Sequence, residues 1–378
     1  EELTRIAKTT EFNNQSLLDG TFTSKTFQIG ANSGQHIKFS IGNMSSDKLG
    51  SHDLSLSGSS NQSVVNADKS TTVNTVSAAE DLTINGHNGT TTLDVLANAT
   101  ARDVANLVNG VSDKTGVTAE VTSKAKIDNV SAVGTFTLNV YGKNEGAVNI
   151  SANITDVNDL TDLAQRLNEK TGTTGISAKL SDDKASITLT QDDGYDIVLE
   201  DVLETGGSAA TIDFTGLSAK EVEVGAAGTL GAAAATDTGR VSGNVTMSSD
   251  KGYTVKSAAT GGLMANTAAN ASTLSSVDRI DITTQSGSAD AIKVIDGALS
   301  YVQGERSNLG AIQNRLDFTI SNLENMVSNT TEARSNIGDT DYAKESSVLA
   351  KQQLLQQSSL AMLSMANASA EQIMMLLR

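Results

Sequence analysis

Histidines, clustered carboxylates and spaced glycines are the features of this chain that could do chemistry. His36, His52 and His87 are its three histidines, and none sits in a His-Glu-x-x-His frame or has a second histidine at ligand spacing, as a zinc site requires. They read as strand or turn residues. Asp192, Asp193 and Asp196 offer hard oxygen ligands for calcium, but the loop spacing with a closing Glu is absent, so a turn explains them. Gly225, Gly228 and Gly231 lack the following Lys-Ser/Thr and the strand-to-helix context of a phosphate cradle, and read as a flexible loop. The 44 Asp and Glu are spread over the chain, and no pair stands out for general acid-base work. With no cysteine there is no thiolate nucleophile and no disulfide. The expectation is a protein with no enzymatic activity, no metal and no cofactor.

The elements that would have to position such groups are set by composition. The chain has 378 residues, enough for two or three domains, yet only 3% are aromatic and none is Trp. Its cores must therefore be built from Leu, Ile, Val and Ala. A formal net charge of -17 repels phosphate backbones and anionic headgroups, which argues against nucleic acid and membrane partners. No apolar run approaches the length of a membrane span. Proline is absent, so Gly, Asn, Asp and Ser make the turns. The opening Glu1-Glu2-Leu3-Thr4 has no Met and no signal-peptide pattern, and reads as an internal start.

Three textures follow one another. In residues 1–55, Leu3, Ile6 and Ala7 predict a short helix over 2–10. Alternation at Phe27, Ile29, Ile37 and Phe39 then predicts a hairpin around Gly30-Ala31-Asn32-Ser33-Gly34. Residues 56–275 are rich in Ser, Thr, Asn, Gly and Ala. Ser186–Thr190 and Tyr195–Leu199 flank the turn signal Gln191-Asp192-Asp193-Gly194, which predicts a second hairpin. A helix face at Val104, Leu107, Val108 and Val111, then Lys114-Thr115-Gly116 and a strand, returns 56 residues later. The second copy has Leu160, Leu163, Ala164 and Leu167, then Lys170-Thr171-Gly172 and a strand. Each copy is a helix stopped by glycine and followed by a strand, an α+β module. The low-complexity stretch from Gly225 to Gly243, with Ala232 to Ala235 inside it, reads as a loop or linker.

From about residue 276 helical periodicity takes over. Leu309, Leu316, Leu323 and Thr330 recur every seven residues, interleaved with Gln313, Ile320 and Val327, which is a heptad seam. A helix over 289–335 would be roughly 70 Å long and needs a partner. Beyond Tyr342, apolar residues including Leu354, Leu355, Met362, Leu363, Leu376 and Leu377 fall on too many faces for a monomeric surface helix. The methionines Met362, Met365, Met374 and Met375 belong to the same set and read as packing between subunits.

Three C-terminal segments carry a recognisable pattern: Arg306-Ser307-Asn308-Leu309-Gly310-Ala311-Ile312-Gln313-Asn314-Arg315, Ala333-Arg334-Ser335-Asn336-Ile337 and Asp339-Thr340-Asp341-Tyr342-Ala343-Lys344-Glu345. With Leu354-Leu355-Gln356-Gln357 and the closing Leu376-Leu377-Arg378, they resemble the C-terminal region of bacterial flagellins. Phe12-Asn13-Asn14 through Leu17-Leu18-Asp19-Gly20, and Phe27-Gln28-Ile29-Gly30-Ala31-Asn32, resemble the flagellin segment where core helix gives way to a hairpin. The doubled helix-strand unit is similar to insertion modules of some flagellins.

The resemblance implies a mixed α and β fold with long α-helical coiled-coil ends, a β-hairpin, and α+β variable outer domains. It divides the chain into the remainder of an N-terminal core domain (1–55), outer domains (56–275), a C-terminal coiled-coil core domain (276–338) and an inner-tube helix (339–378). Leu309, Leu316, Ile320, Leu323 and Val327 would form the coiled-coil seam. Leu354, Leu355, Met362, Leu363, Leu376 and Leu377 would pack the inner tube. The implied function is a self-assembling subunit of the extracellular flagellar filament, secreted through the flagellar export apparatus. The implied partners are further copies of itself, an export chaperone, and cap or junction proteins. An innate immune receptor is implied for the full-length protein. The family also has an N-terminal helical segment, missing from this sequence, that bears the export signal and most receptor contacts. Two other readings are a hook-filament junction protein, against which the closing Leu-Leu-Arg and the Arg306–Arg315 run speak, and a secreted adhesin that uses the middle domains.

Overall fold

The computed structural model describes residues 1–30, 34–56, 58, 62–65, 76, 78–206, 210–231, 237–259 and 262–377. It divides into two compact units, Glu1–Thr23 with Ser40–Ser307, and Ser24–Phe39 with Asn308–Arg378. Along the chain, α1 (Glu2–Thr9) precedes the minimal pair β1 (Glu11–Phe12) and β2 (Gln15–Ser16), the hairpin β3 (Lys25–Gln28) and β4 (His36–Phe39), and then β5 (Gly50–Ser55) and β6 (Gln62–Val65). A first module contains β7 (Glu80–Asn85), β8 (Thr90–Val95), α2 (Ala101–Asn109), α3 (Ser112–Thr115) and β9 (Thr118–Asp128). A second repeats that order with β10 (Gly134–Tyr141), β11 (Val148–Ile154), α4 (Thr161–Glu169), α5 (Thr171–Thr174) and β12 (Ile176–Leu180). Then come β13 (Ile187–Gln191), β14 (Ile197–Glu204), β15 (Ile212–Leu217), β16 (Glu223–Leu230), β17 (Thr238–Val241) and β18 (Asn244–Ser249). The short strands β19 (Thr254–Ser257), β20 (Asn270–Ala271) and β21 (Thr273–Ser276) precede the long helices α6 (Gln285–Gly338) and α7 (Tyr342–Leu376). The fold is mixed α and β, as the sequence implies.

In the first unit the described strands form, besides the β1–β2 pair, three antiparallel sheets. Their orders are β12-β13-β9-β18-β5-β21 with β15 and β16 attached through β9, then β11-β10-β14-β17-β6, and β20-β19-β7-β8. Two apolar cores result. One gathers Phe136, Leu138, Ile154, Leu163, Leu167 and Phe214 around α4. The other gathers Leu82, Ile84, Val104, Val108, Met247 and Val255 around α2. Strand β9 serves both, since Ala119 belongs to the second core while Ala125 and Ile127 belong to the first.

The two modules correspond element by element, with a separation of 59 residues, as Asn109/Asn168 and Gly116/Gly175 show, rather than the expected 56. The buried helix faces are Ala101, Val104, Ala105 and Val108 in α2, and Leu163, Ala164 and Leu167 with the adjoining Leu160 in α4. Leu107 is partly exposed instead of facing the core. Each short second helix ends on a left-handed glycine, Gly116 (φ 73) and Gly175 (φ 72), where a Cβ would be strained. Gly172 lies inside α5 and is not the terminator that the spacing suggested. Thr100 caps α2 through a reciprocal box with Asp103, whose main-chain N donates to Thr100 Oγ1 over 3.3 Å.

Two other expectations fail. Residues 186–199 contain strands and a turn, but β13 pairs with β12 and β9, whereas β14 pairs with β10 and β17. The Asp192–Gly194 turn, with Gly194 at φ 76, therefore carries the chain from one sheet to another. The described parts of the stretch 225–243 are strand, not linker, because β16 pairs along β15 and β17 joins β14 to β6. Residues 232–236, including Ala232 to Ala235, lie outside the described residues, as do Ala31, Asn32 and Ser33 of the first hairpin loop.

The first turns of α6 pack on the sheet through small side chains. Ala291, Val294 and Ala298 are buried, and a Cβ on Gly297 would stand 2.8 Å from the Gly50 carbonyl oxygen. Lys293 Nζ reaches Glu120 Oε2 on β9 at 2.6 Å. In the second unit, β3 and β4 form the expected hairpin with Phe27 and Phe39 stacked 5.5 Å apart. Helix α6 is 54 residues long, about 81 Å at 1.5 Å per residue. It ends at Gly338, and Asp341 opens α7 by accepting from the main-chain N of Ala343 (3.0 Å) and Lys344 (3.1 Å).

Candidate assembly surface

An exposed apolar helix is costly in water, and this chain has one of unusual length. In α7, 35 residues long, none of the described side chains is buried. Its apolar residues advance by about 100° per position, so Leu354, Leu355, Leu363, Leu360 and Met375 point to different sides. Leu354 is 67% exposed and Leu376 is 87% exposed. Leu355, Met362, Leu363 and Leu377 are exposed as well. Such a surface fits a helix enclosed by neighbours on all sides.

On α6 beyond residue 307, Leu309, Leu316 and Leu323 are half-buried, while Ile320 and Val327 are exposed. Ile312 and Thr319 are half-buried too, so the most sheltered row runs through 309, 312, 316, 319 and 323. The same three-and-four spacing continues toward the start of α6. Counting back from Leu309 in alternating steps of three and four, past Arg306, reaches Val302, Leu299, Ile295 and Ile292. Ile292, Ile295 and Leu299 are exposed.

The groups first considered for chemistry are dispersed. His36 lies on β4 and is exposed. His52 lies on β5 and is half-buried, with burial pushing its imidazole below the usual histidine range despite nearby Asp53 and Asp250. His87 Nδ1 is 3.7 Å from Asp250 Oδ1, and its ring packs against Gly116. Asp196 is not a solvated turn residue: it is buried against Arg240, whose Nη1 donates to Asp196 Oδ2 over 3.0 Å. Burial pushes the Asp196 carboxyl up to about 6, partly offset by that guanidinium. Asp192 and Asp193 remain exposed and line a shallow cleft with residues of α2 and β9. Among the described residues, no group of three or more His, Asp or Glu could hold a metal ion, and no helix is long and apolar enough to cross a membrane.

Comparisons with known proteins bear on both halves of the chain. The family described as "Bacterial flagellin C-terminal helical region" matches residues 292–377. The "Flagellin hook IN motif" matches twice, at 81–131 and 135–193, which are the two duplicated modules. B-type flagellin of Pseudomonas aeruginosa is 32% identical over 381 residues, covering 100% of this chain and 75% of that protein. Flagellin E of Vibrio cholerae is 28% identical, and polar flagellin A of Vibrio parahaemolyticus 29%, each covering 100% of this chain and 68% of the relative. Among solved structures, the D2-D3 domains of the flagellar cap protein FliD from Escherichia coli give 11% identity and a TM-score of 0.18. That likeness covers 53% of this chain and 98% of the other, and it is too slight to carry an argument.

Proposed function

This chain belongs to the bacterial flagellin family, and from that premise we propose that its two long helices carry the contacts that build the flagellar filament. The protein is a structural subunit of that extracellular filament, the motility organ of the bacterium. Leu309, Leu316, Ile320, Leu323 and Val327 form the coiled-coil seam of segment 276–338, extended toward the sheet by Ile292, Ile295 and Leu299. Leu354, Leu355, Met362, Leu363, Leu376 and Leu377 pack the inner tube of segment 339–378. Residues 1–55 complete the core, and 56–275 face solvent as the outer domains.

The observation that supports this reading most is α7, which presents apolar side chains in every direction and buries none of them. Enclosing one such side chain contributes about 1.5–3 kcal/mol, so the six assigned to the tube contribute on the order of 10 kcal/mol per subunit. Contacts repeated head to tail do not close on themselves and propagate a helical polymer. The role is mechanical, not enzymatic, in keeping with the relatives being flagellins. Partners beyond self, namely the export chaperone, the cap or junction proteins and the innate immune receptor, follow from family membership in this reading.

The test is expression of this chain behind a flagellin-type N-terminal helical segment in a bacterium deleted for its own flagellins, scored by electron microscopy and swimming. Filaments are expected from the parent, and a loss of filaments from Leu316→Asp and from Leu363→Asp with the subunit still secreted. Normal filaments from both variants would overturn the assignment of these residues, and no filament from the parent would overturn the reading itself.

A further inference from the structure

We propose that the cleft between α2, β9 and the β13–β14 connection is a binding site for a neutral saccharide. Its volume is about 430 Å³, within the range of small-molecule sites. The floor is small and apolar, made by Ala105, Ala119 and Val121, and the rim is polar, made by Arg102, Asn106, Glu120, Asp192 and Asp193. The rim is held in place. Arg102 sits over the Tyr195 ring at 4.8 Å from its centroid, and its main-chain N donates to the Gly194 carbonyl over 3.1 Å. Glu120 is fixed by Lys293.

Among the described residues, the Arg102 guanidinium, the Asn106 amide and the Asp192 and Asp193 carboxylates form no hydrogen bond within the protein. Donors and acceptors thus stand side by side around an apolar floor. A pyranose matches that pattern, because its C–H face covers the floor while each ring hydroxyl both donates and accepts. Three carboxylates against one guanidinium disfavour an anionic ligand.

The duplicated module serves as an internal control. The residues that hold the module together recur in the second copy: Val104 as Leu163, Asn109 as Asn168, Thr115 as Thr174 and Gly116 as Gly175. Those at the rim do not, for Arg102, Asn106 and Glu120 are replaced by Thr161, Gln165 and Lys179. The second copy folds without them, so the fold of the module does not account for the rim.

The experiment is a titration of the labelled full chain with the methyl glycosides of glucose, galactose, mannose and N-acetylglucosamine, followed by backbone amide chemical shifts. Saturable shifts confined to residues 102–109, 119–121 and 192–195 are expected with at least one glycoside. Arg102→Ala and Asn106→Ala should each weaken that binding roughly tenfold, while Gln165→Ala in the other module should leave it unchanged. Both rim residues lie outside the cores, and unaltered shifts elsewhere verify that each variant is folded. No response to any glycoside, a response elsewhere, or binding that survives both substitutions overturns the proposal. Shifts at the cleft produced by calcium chloride and by no glycoside overturn it too, in favour of a cation.

Discussion

Asn109 grips the backbone of Ala119 at both ends: its Nδ2 donates to the Ala119 carbonyl over 2.9 Å, and its Oδ1 accepts from the Ala119 main-chain N over 2.8 Å. The side-chain amide thereby acts as one more rung of a β-ladder and ties the end of α2 to the start of β9. Asn168 does the same to Ala178 in the second module, at 2.7 and 2.8 Å.

Asn109→Ala and Asn168→Ala should each cost about 1–3 kcal/mol, the penalty for leaving a sheltered donor and acceptor without partners. Chemical denaturation followed by circular dichroism measures this. Because the two brackets are geometrically alike, the two losses should be similar. A change near zero at either position would show that water replaces the bracket.

The two left-handed glycines should differ. Gly175→Ala meets only Gln191 Nε2 at 3.2 Å and the flexible Lys143 stem at 3.4 Å, so backbone strain of about 1–2 kcal/mol is its main cost. Gly116→Ala adds a clash, since the new Cβ would lie 2.1 Å from the His87 ring and must push it from Asp250. Gly116→Ala should therefore lower the thermal midpoint more than Gly175→Ala, and the reverse order would contradict the packing described.

Stability should peak on the acid side of neutrality. Asp196 has a folded pKa raised to about 6, so its contribution is complete below its unfolded pKa and is lost as pH rises through about 6. Asp159 and Asp183 are held below the usual carboxylate range, chiefly by side-chain hydrogen bonds from Thr161 and Ser181. Glu221 is held low by its hydrogen bond from Lys124. These three contribute stability above their unfolded values that is lost as pH falls through the folded ones. Urea denaturation across pH should show a maximum between about pH 4 and pH 6. Asp196→Asn should flatten the decline above it, and a steady rise through neutrality in the parent would contradict the sign.

Gly297→Ala should loosen α6 from β5, because the backbone at Gly50 and Ser51 cannot yield as a side chain would. A cost of about 1–3 kcal/mol is expected for such overpacking. Faster hydrogen exchange at Gly50–Ser55 would report it, and unchanged protection there would place the contact elsewhere.

Much of this was legible in the sequence, and the failures have physical causes. Helix α1, the hairpin of β3 and β4 and the long helices follow from local periodicity, which depends only on neighbours along the chain. The modules were visible but misaligned by three residues. Such a slip nearly restores a helical face, so Leu160 to Leu167 could be laid over Val104 to Val111 and Gly172 mistaken for Gly175. The segment 186–199 gives strand and turn signals correctly, yet nothing local says that Ile197–Glu204 must find Gly134–Tyr141 and Thr238–Val241. The run through Gly225 and Gly228 forms a strand because β15 offers backbone partners, which side-chain composition does not reveal. The residues proposed for assembly stand out for another reason: apolar side chains at the surface violate what a solitary helix should contain.

Strand β9 shares its side chains between two cores and is hydrogen-bonded to β13, β15 and β18 along its length. A filament subunit turning in fluid carries drag, and tension applied along a strand held this way loads its ladder in shear. Its ladder bonds then share the load together instead of parting one at a time from an end. Lys293, bonded to Glu120 on this strand, adds a tether from α6, so tension along β9 passes into that helix as well.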